Sequence, residues 1–400
     1  MNKKIELLAP AGSFPALIAA VESGADSVYL GLKEFSMRAF AKNFKITDLS
    51  RIKQICKNGK NDRVKIYLTI NTIIYNNEIK KVEKFISKVK PYIDAVICWD
   101  LAVIQLCKKY RIPFHISTQA SVSNIESAKF YKKLGAERIV LARELNLKQI
   151  KEISKVIDVE TFIHGAMCVS ISGRCLISQF LFNKSANRGE CLHPCRRSYI
   201  VKDKQEGYEL ELELENDKIL SAKDLCTLPF IEKLKKAGIK AFKIEGRNRD
   251  PRYVSTVVDV YRKALDKKLS KKEQDELLEQ LSKVYTKGFS SGFYLGLPTS
   301  DDFSKSEHSL ATEKKEFIGK VLKFYKKINV ATLKLTSNLN INDKILIIGN
   351  KTGVKETTIN SIESKNKPLT NAEKGQEIGI KILSNLIVRK NDEVYKIVKR

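Results

Sequence analysis

The sequence predicts an α/β protein: a (β/α)8 TIM-like barrel with a cysteine-rich insertion after its seventh strand, then a small C-terminal all-β barrel domain. Three observations carry this. Short β-branched runs alternate with longer amphipathic stretches from Ile5 to Arg247. Several of those stretches close with Gly before the next run. Beyond Glu316 the pattern changes to strands and turns alone.

The runs are Ile5–Ala9, Ser27–Gly31, Lys65–Asn71, Ala95–Asp100, Phe114–Gln119, Arg138–Arg143, Val159–Gly165 and Ala241–Arg247. Helical patterns fall between them at Phe14–Ser23, Lys80–Lys90, Ile125–Leu134 and Leu147–Val156. Glu22-Ser-Gly-Ala-Asp26, Lys133-Leu-Gly-Ala-Glu137 and Lys236-Ala-Gly-Ile-Lys240 each set Gly where a helix end favours a left-handed residue. Strand–helix alternation implies parallel pairing through crossover helices. Eight units in roughly 260 residues fit a closed barrel better than the alternative, an open doubly wound sheet. The insertion runs from His164 to about Cys226, and Pro251–Lys267 and Lys271–Val284 read as helices. Gly288–Ser309 is rich in Gly, Ser, Pro and Asp, a linker signal. Strands follow at Phe317–Phe324, Asn329–Leu335, Lys344–Ile348, Thr357–Ser364, Glu377–Ile382 and Glu393–Val398. The expected domains are 1–300, a linker at 301–315, and 316–400.

Of the 400 residues, 43% are apolar and 30% charged, which excludes wholesale disorder. The longest nearly apolar stretch, Ala95–Cys107, is broken by Asp100 and falls short of the ~20 residues of a membrane span. Glu6 and Pro10 interrupt what would be the apolar core of a secretory signal. A cytoplasmic protein with no membrane partner is expected. Lys and Arg number 73 against 46 Asp and Glu, a net charge of +27 that favours polyanionic partners such as RNA or DNA. The competing explanation is a Lys-rich genome.

In a barrel the functional face lies at the C-terminal strand ends. Tyr29, Asn71, Asp100, Ser117, Thr118, Gln119, Arg143, Glu144, His164, Lys243, Glu245 and Arg247 fall there. Each alone reads as a loop residue; together they predict a polar pocket. His164, Asp100 and Glu245 are the acid/base candidates, with a hydrogen-bonded rim histidine and internal ion pairs as the plain alternatives. Tyr29, Asn71, Gln119, Arg143, Lys243 and Arg247 are candidates for binding substrate.

Cys56, Cys98 and Cys107 sit in apolar patterns and read as core. The other five crowd together as Cys168-x6-Cys175-x15-Cys191-x3-Cys195, with Cys226 further on. Four thiolates suit a tetrahedral zinc or an iron–sulfur cluster, and the spacing does not separate the two. Arg188, Arg196 and Arg197 flank them, positioned to offset thiolate charge or to meet phosphate. No H-E-x-x-H, P-loop or dinucleotide-binding glycine pattern occurs. Gly288-Phe-Ser-Ser-Gly292 follows a helix, where a nucleophile elbow needs a strand.

Glu6-Leu-Leu-Ala-Pro-Ala-Gly12, Gly24-Ala-Asp-Ser-Val-Tyr-Leu-Gly31, Ser117-Thr-Gln119, His164-Gly-Ala-Met-Cys168, Ser172-Gly-Arg-Cys175, Asn187-Arg-Gly-Glu-Cys191, Ser221-Ala-Lys-Asp-Leu225 and Lys243-Ile-Glu-Gly-Arg247 resemble, in order, the collagenase-like "family 32" of unassigned peptidases. The likeness runs to about residue 290, and the all-β tail is similar to that family's C-terminal domain. Within the family it is nearest to the prephenate-dependent tRNA uridine hydroxylases, which form 5-hydroxyuridine at the wobble position. The resemblance implies a 4Fe-4S cluster on Cys168, Cys175, Cys191 and Cys195, with Cys226 a bystander or alternative fourth ligand. It also implies prephenate as co-substrate, tRNA as partner and, because some members act in pairs, a paralogous protein partner. Prephenate is a dianion, so Arg143, Lys243 and Arg247 are its expected carboxylate partners. The rival functions are a peptidase and a non-catalytic iron–sulfur subunit that binds RNA.

Overall fold

The computed structural model describes residues 5–38, 41–59, 63–171, 174–197, 220–306, 308–365, 367–383 and 386–400. Ser172 and Gly173 of the Ser-Gly-Arg-Cys motif, the second part of the insertion (198–219) and residue 307 of the expected linker lie outside them.

The strands are β1 (Glu6–Ala11), β2 (Ser27–Leu30), β3 (Lys65–Thr69), β4 (Ala95–Cys98), β5 (Phe114–Ile116), β6 (Arg138–Val140), β7 (Asp158–Gly165), β8 (Asp224–Cys226), β9 (Ala241–Ile244) and β10 (Phe289–Ser290). Strands β1 to β7 pair in sequence order, all parallel, and β9 pairs parallel with both β7 and β1. That closes an eight-stranded TIM-like barrel. Strand β8 runs antiparallel on β7, with His164 opposite Cys226, and β10 extends that edge. Neither side strand is expected from the sequence, since two or three residues carry too little periodicity to register.

Helices α1 (Phe14–Glu22), α2 (Leu49–Cys56), α3 (Ile79–Val89), α4 (Leu101–Lys109), α5 (Ile125–Lys133), α6 (Leu147–Ile153), α7 (Ile177–Phe182), α8 (Ile231–Lys235), α9 (Pro251–Asp266) and α10 (Lys271–Ser282) complete this part. Sequence and packing agree in α3, where Val82, Phe85, Ile86 and Val89 recur at helical spacing and are all buried. Each such side chain contributes about 1.5–3 kcal/mol on burial. At the start of α9, Asp250 accepts from the Arg252 amide at 2.9 Å and Pro251 takes the first turn, a ready-made helix entry.

The barrel interior is polar at its lower end. Arg138 donates to both oxygens of Glu6, at 3.1 and 2.8 Å, and to Glu160 at 3.2 Å. Lys243 reaches the other Glu160 oxygen at 2.8 Å. Two carboxylates and two cations therefore form a chain without net charge, which is what burial of ions requires. Burial alone would raise Glu6; its bonds to Arg138 and Ser27 outweigh that and hold it down at about 2. Above the chain lies an apolar layer of Leu8, Tyr29, Tyr67, Ala95 and Ile97.

Residues 288–306 and 308–312 sit against the barrel. Tyr294 donates to the Phe162 carbonyl at 2.5 Å, Ser304 N to Ser221 O at 2.7 Å and Leu310 N to Thr286 O at 2.8 Å. Composition signals irregular backbone there; it does not signal detachment. The C-terminal part is an antiparallel eight-stranded sheet with its own core, including Ile318, Val321, Leu333, Ile345, Ile347 and Ile380. It packs on α1 and α9. Arg252 bridges Glu356 (2.8 Å) and Glu313, Lys355 pairs with Glu22 at 2.9 Å, and a Cβ on Gly353 would fall 2.5 Å from Ile18.

Candidate functional site

The described part of the insertion, residues 165–171 and 174–197, lies over the C-terminal mouth of the barrel and borders a cavity of about 490 Å³. Its floor is made by Tyr29, Thr69, Ile97, Val140, Phe162 and Lys243, and its walls by Asn71, Gln119, Arg143, Glu245 and Arg247. Cys168, Cys175, Cys191 and Cys195 line the same cavity from the insertion side, with His193 and Arg196. All six expected substrate-binding residues are therefore brought together.

They are not equally available. Lys243 is held by Glu160 beneath it, with its ammonium 4.4 Å from the Tyr29 ring centroid. Arg247 is buried and fully engaged: it donates to Ser36 Oγ at 2.7 Å, Thr69 Oγ1 at 3.0 Å and the Met37 carbonyl. Burial lowers its pKa to about 10. Two glycines make room for it, since a Cβ would meet the Arg247 carbonyl oxygen at 1.9 Å from Gly12 and the guanidinium at 2.2 Å from Gly31. Arg247 thus anchors the loop after β2, which brings Arg38 to within 3.4 Å of Glu245. Sequence reasoning missed Arg38. It sits in the left-handed region at φ 72°, held there by this loop.

Burial would raise Glu245, but Arg38, Arg143, Arg247 and Lys243 together hold it at about 2. It is an anion at any working pH, poised to accept hydrogen bonds and not to donate a proton. The Tyr29 hydroxyl donates to the Ile244 carbonyl at 2.9 Å and lies 3.4 Å from Glu245. Asn71 accepts from the Met37 amide at 3.1 Å, and its carbonyl accepts from Gln119 at 3.1 Å and from the Trp99 indole at 2.9 Å. Arg143 stands apart. One of its terminal nitrogens donates to the Ala166 carbonyl at 2.8 Å, its guanidinium lies 3.9 Å from the Phe162 ring centroid, and its buried Nε has no partner among the described residues. No carboxylate lies within ion-pair distance of it among those residues, so it presents a cation to the cavity. Arg249, likewise missed, lines the cavity while lying 3.5 Å from the Tyr285 ring centroid.

Two of the acid/base candidates lie elsewhere. His164 does not line the cavity: it is buried, with Nδ1 3.3 Å from the Tyr261 hydroxyl, on the outer side of β7. Burial and then Arg249 push its pKa down to about 3, so it is neutral. The register of β7 on β9 slips between Phe162 and His164, and this bulge turns the histidine outward. Asp100 caps α4 by accepting from the Ala102 amide at 2.9 Å and also accepts from the Ile74 amide at 3.2 Å. Cys226 is buried with its sulfur 3.8 Å from the Tyr261 hydroxyl, and burial raises it to about 11. It faces away from the four cavity cysteines.

Among the expected RNA contacts, Arg188 is taken by Glu78 at 2.7 and 3.0 Å. Arg196 lines the cavity, and the guanidinium of Arg197 lies 4.6 Å from the Phe182 ring centroid.

No three Cys, His, Asp or Glu side chains among the described residues converge closely enough for a single metal ion. A cubane makes a different demand, one thiolate on each of four irons around a larger body. The donor set fits that demand in kind: four thiols face one cavity, and Cys195 carries the influence of the other three. Burial raises the Cys195 pKa to about 11 and neighbouring Arg196 opposes the rise.

Fold and site together define a (β/α)8-barrel protein whose C-terminal strand ends are roofed by a four-cysteine insertion. A model of peptidase family U32 matches residues 12–303, and the chain belongs to that family. It is 41% identical over 409 residues to a protein of Methanocaldococcus jannaschii named an uncharacterized protease, covering 99% of this chain and 98% of that one. It is 39% identical over 415 residues to a protein of Porphyromonas gingivalis named collagenase, covering 99% and 98%. It is 34% identical over 360 residues to tRNA hydroxylation protein P1 of Bacillus subtilis, covering 87% and 84%. Among the described residues no helix is long and apolar enough to cross a membrane.

Proposed function

We propose that this chain is an RNA-modifying hydroxylase that forms 5-hydroxyuridine at the wobble position of tRNA, with a 4Fe-4S cluster on Cys168, Cys175, Cys191 and Cys195 and prephenate bound in the barrel mouth. The observation that carries the reading is the sharing of one cavity by four insertion cysteines and the polar rim of the barrel. The name of the Bacillus subtilis relative points to tRNA hydroxylation. Such a cluster, when bound, supplies one-electron transfer close to the substrate. The chain's own residues do the rest. Arg143 binds a carboxylate, Glu245 accepts hydrogen bonds from substrate hydroxyl or imide groups, Asn71 donates from its side-chain amide nitrogen, and the roof of the insertion excludes water. Partners on this reading are tRNA and a paralogous chain.

Two relatives bear protease or collagenase names, and a thiol peptidase is the rival. That chemistry asks for one cysteine oriented by one histidine. Among the described residues no cysteine hydrogen-bonds a histidine, and His164 faces Tyr261.

The test is nucleoside analysis of tRNA from cells lacking this protein and any paralogue. The reading expects loss of 5-hydroxyuridine and its derivatives, restored by wild type but not by Cys175→Ser. An unchanged nucleoside profile overturns it.

A further inference from the structure

Six cations line the cavity, Arg38, Arg143, Arg196, Lys243, Arg247 and Arg249, against the single carboxylate of Glu245. Most of them are accounted for within the chain. Lys243 holds Glu160, Arg38 holds Glu245, Arg247 is engaged by Ser36, Thr69 and the Met37 carbonyl, and Arg196 adjoins the Cys195 thiol. Arg143 and Arg249 remain, neither with a carboxylate inside ion-pair distance among the described residues.

The two lie on either side of β7, Arg143 beyond β6 and Arg249 beyond β9. Arg249 is built into its place. The Gly246 carbonyl accepts from the Arg249 amide at 2.9 Å, and the side-chain stem passes over Gly246, where a Cβ would fall 3.3 Å from Arg249 Cγ. The guanidinium lies 3.5 Å from the centroid of the Tyr285 ring, which also lines the cavity. Stacking takes the flat face and leaves the N–H groups on the edge able to donate. Outside the cavity stands Asp224 of β8. Its Oδ2 accepts from the Lys287 amide at 3.1 Å, while its buried Oδ1 has no hydrogen-bond partner among the described residues. Burial would weaken the Arg249 charge; Asp224, more than Tyr253 or Tyr285, outweighs that and keeps the guanidinium protonated.

We propose that Arg249, positioned by Tyr285 and Asp224, takes the second carboxylate of a small dicarboxylate in the barrel mouth, so that Arg143 and Arg249 together select a dianion over a monoanion. This rests on the reading of a dianion bound in the mouth and deepens it by naming what holds its other charge. A nucleotide that enters base first leaves its phosphate at the rim. Two cations across one strand, inside a cavity of about 490 Å³, suit instead two charges carried by one small body. A lone carboxylate settles on Arg143, because the charge of Asp224 already draws on Arg249. Only a second carboxylate, tethered beside the first, reaches Arg249.

Calorimetric titration of the full chain, purified anaerobically, tests this with prephenate as the dicarboxylate and 4-hydroxyphenylpyruvate as the monocarboxylate. Wild type is expected to bind prephenate the more tightly. Arg249→Gln should weaken prephenate binding by about 10- to 150-fold, the usual worth of a hydrogen bond to a charged group, and leave 4-hydroxyphenylpyruvate binding unchanged. Tyr285→Leu should give the same selective loss to a smaller degree. Arg143→Gln should weaken both ligands. Retained monocarboxylate affinity in the Arg249 and Tyr285 variants shows that their sites are folded. Unchanged prephenate affinity in Arg249→Gln, or an equal loss for both ligands, overturns the selector and leaves the hydroxylase reading standing. Weaker tRNA binding by Arg249→Gln at unchanged prephenate affinity assigns the arginine to a phosphate and likewise overturns it. Failure of wild type to bind prephenate overturns both this assignment and the prephenate part of that reading.

Discussion

Arg188 grips Glu78 with both terminal nitrogens, at 2.7 and 3.0 Å, and also donates to the Ile73 carbonyl. This fork ties the cysteine insertion to the loop between β3 and α3, and the Tyr75 ring lies 4.7 Å below the guanidinium. The Arg188 hydrogen bonds hold the Glu78 carboxyl below its usual range, against a smaller opposing effect of burial. Arg188 is therefore an internal clamp. Arg188→Ala should leave the salt slope of tRNA binding nearly unchanged, while Arg197→Ala should reduce its magnitude by about 0.7–0.9 for each phosphate that is no longer neutralised. Titrations at several salt concentrations check both. A pair of substitutions exchanging the two charges, Glu78→Arg with Arg188→Glu, should restore the thermal stability lost in either single variant.

Single replacement of Cys168, Cys175, Cys191 or Cys195 by Ser should abolish iron binding, since a hydroxyl is a harder and less acidic ligand than a thiol. Cys56→Ser, Cys98→Ser, Cys107→Ser and Cys226→Ser should retain iron. Iron assay and visible absorption of anaerobically purified protein decide it.

The cavity cations should separate by role. On the proposed reading, Arg143→Gln is expected to raise the KM for prephenate, a loss of about 1.5–3 kcal/mol for a hydrogen bond to a charged group, with a smaller loss of thermal stability than Arg247→Ala. Arg247→Ala should instead lower stability by about 3 kcal/mol, because Ser36, Thr69 and the Met37 carbonyl lose a buried partner. Denaturant unfolding and substrate titration tell the two apart.

Stability should decline in acid in two stages. Burial, joined by Arg138 at His115 and by Arg249 at His164, lowers both pKa values to about 3. The unfolded chain therefore binds protons below about pH 6.5 that the folded chain refuses. Their contribution is complete above that pH and fades below it, by about 1.4 kcal/mol per pH unit for each histidine. Glu6, held at about 2, adds a loss that begins near pH 4.5 and deepens as pH falls toward its folded value. His115→Gln should flatten the first stage between pH 6.5 and 4.5, measured by urea unfolding at stepped pH.

Arg252, its side chain 9% exposed, joins α9 to Glu313 and Glu356 of the C-terminal sheet. Arg252→Ala leaves two half-buried carboxylates facing the barrel and should cost about 3–5 kcal/mol. Calorimetry should resolve one cooperative transition in wild type and two in the variant.

The barrel was legible because its eight strands are buried on both faces and read as continuous apolar runs set between amphipathic helices. The crowding of cysteines after β7 likewise foretold the roof of the cavity. Direction was not legible. Counting by twos along β7 sends His164 inward with Phe162, and one bulged residue, Ile163, reverses it. Nor could local sequence show that Lys243 and Arg247 have partners at positions 160, 36 and 69, pairings that exist only once the barrel has closed. Arg38 and Arg249 escaped notice because they stand in loops beyond the strand ends, where no periodicity marks a side chain's aim.

Trp99 is the single tryptophan of the chain, and it is bonded through its indole N–H to the Asn71 carbonyl. The guanidinium of Arg174 stands 5.6 Å from its ring centroid. A cation from the insertion thus rests beside the one fluorophore that emits at long wavelength, on the barrel beneath. The molecule carries a native optical gauge of its own roof: lifting the insertion removes the charge, and the emission of Trp99 shifts, without any label.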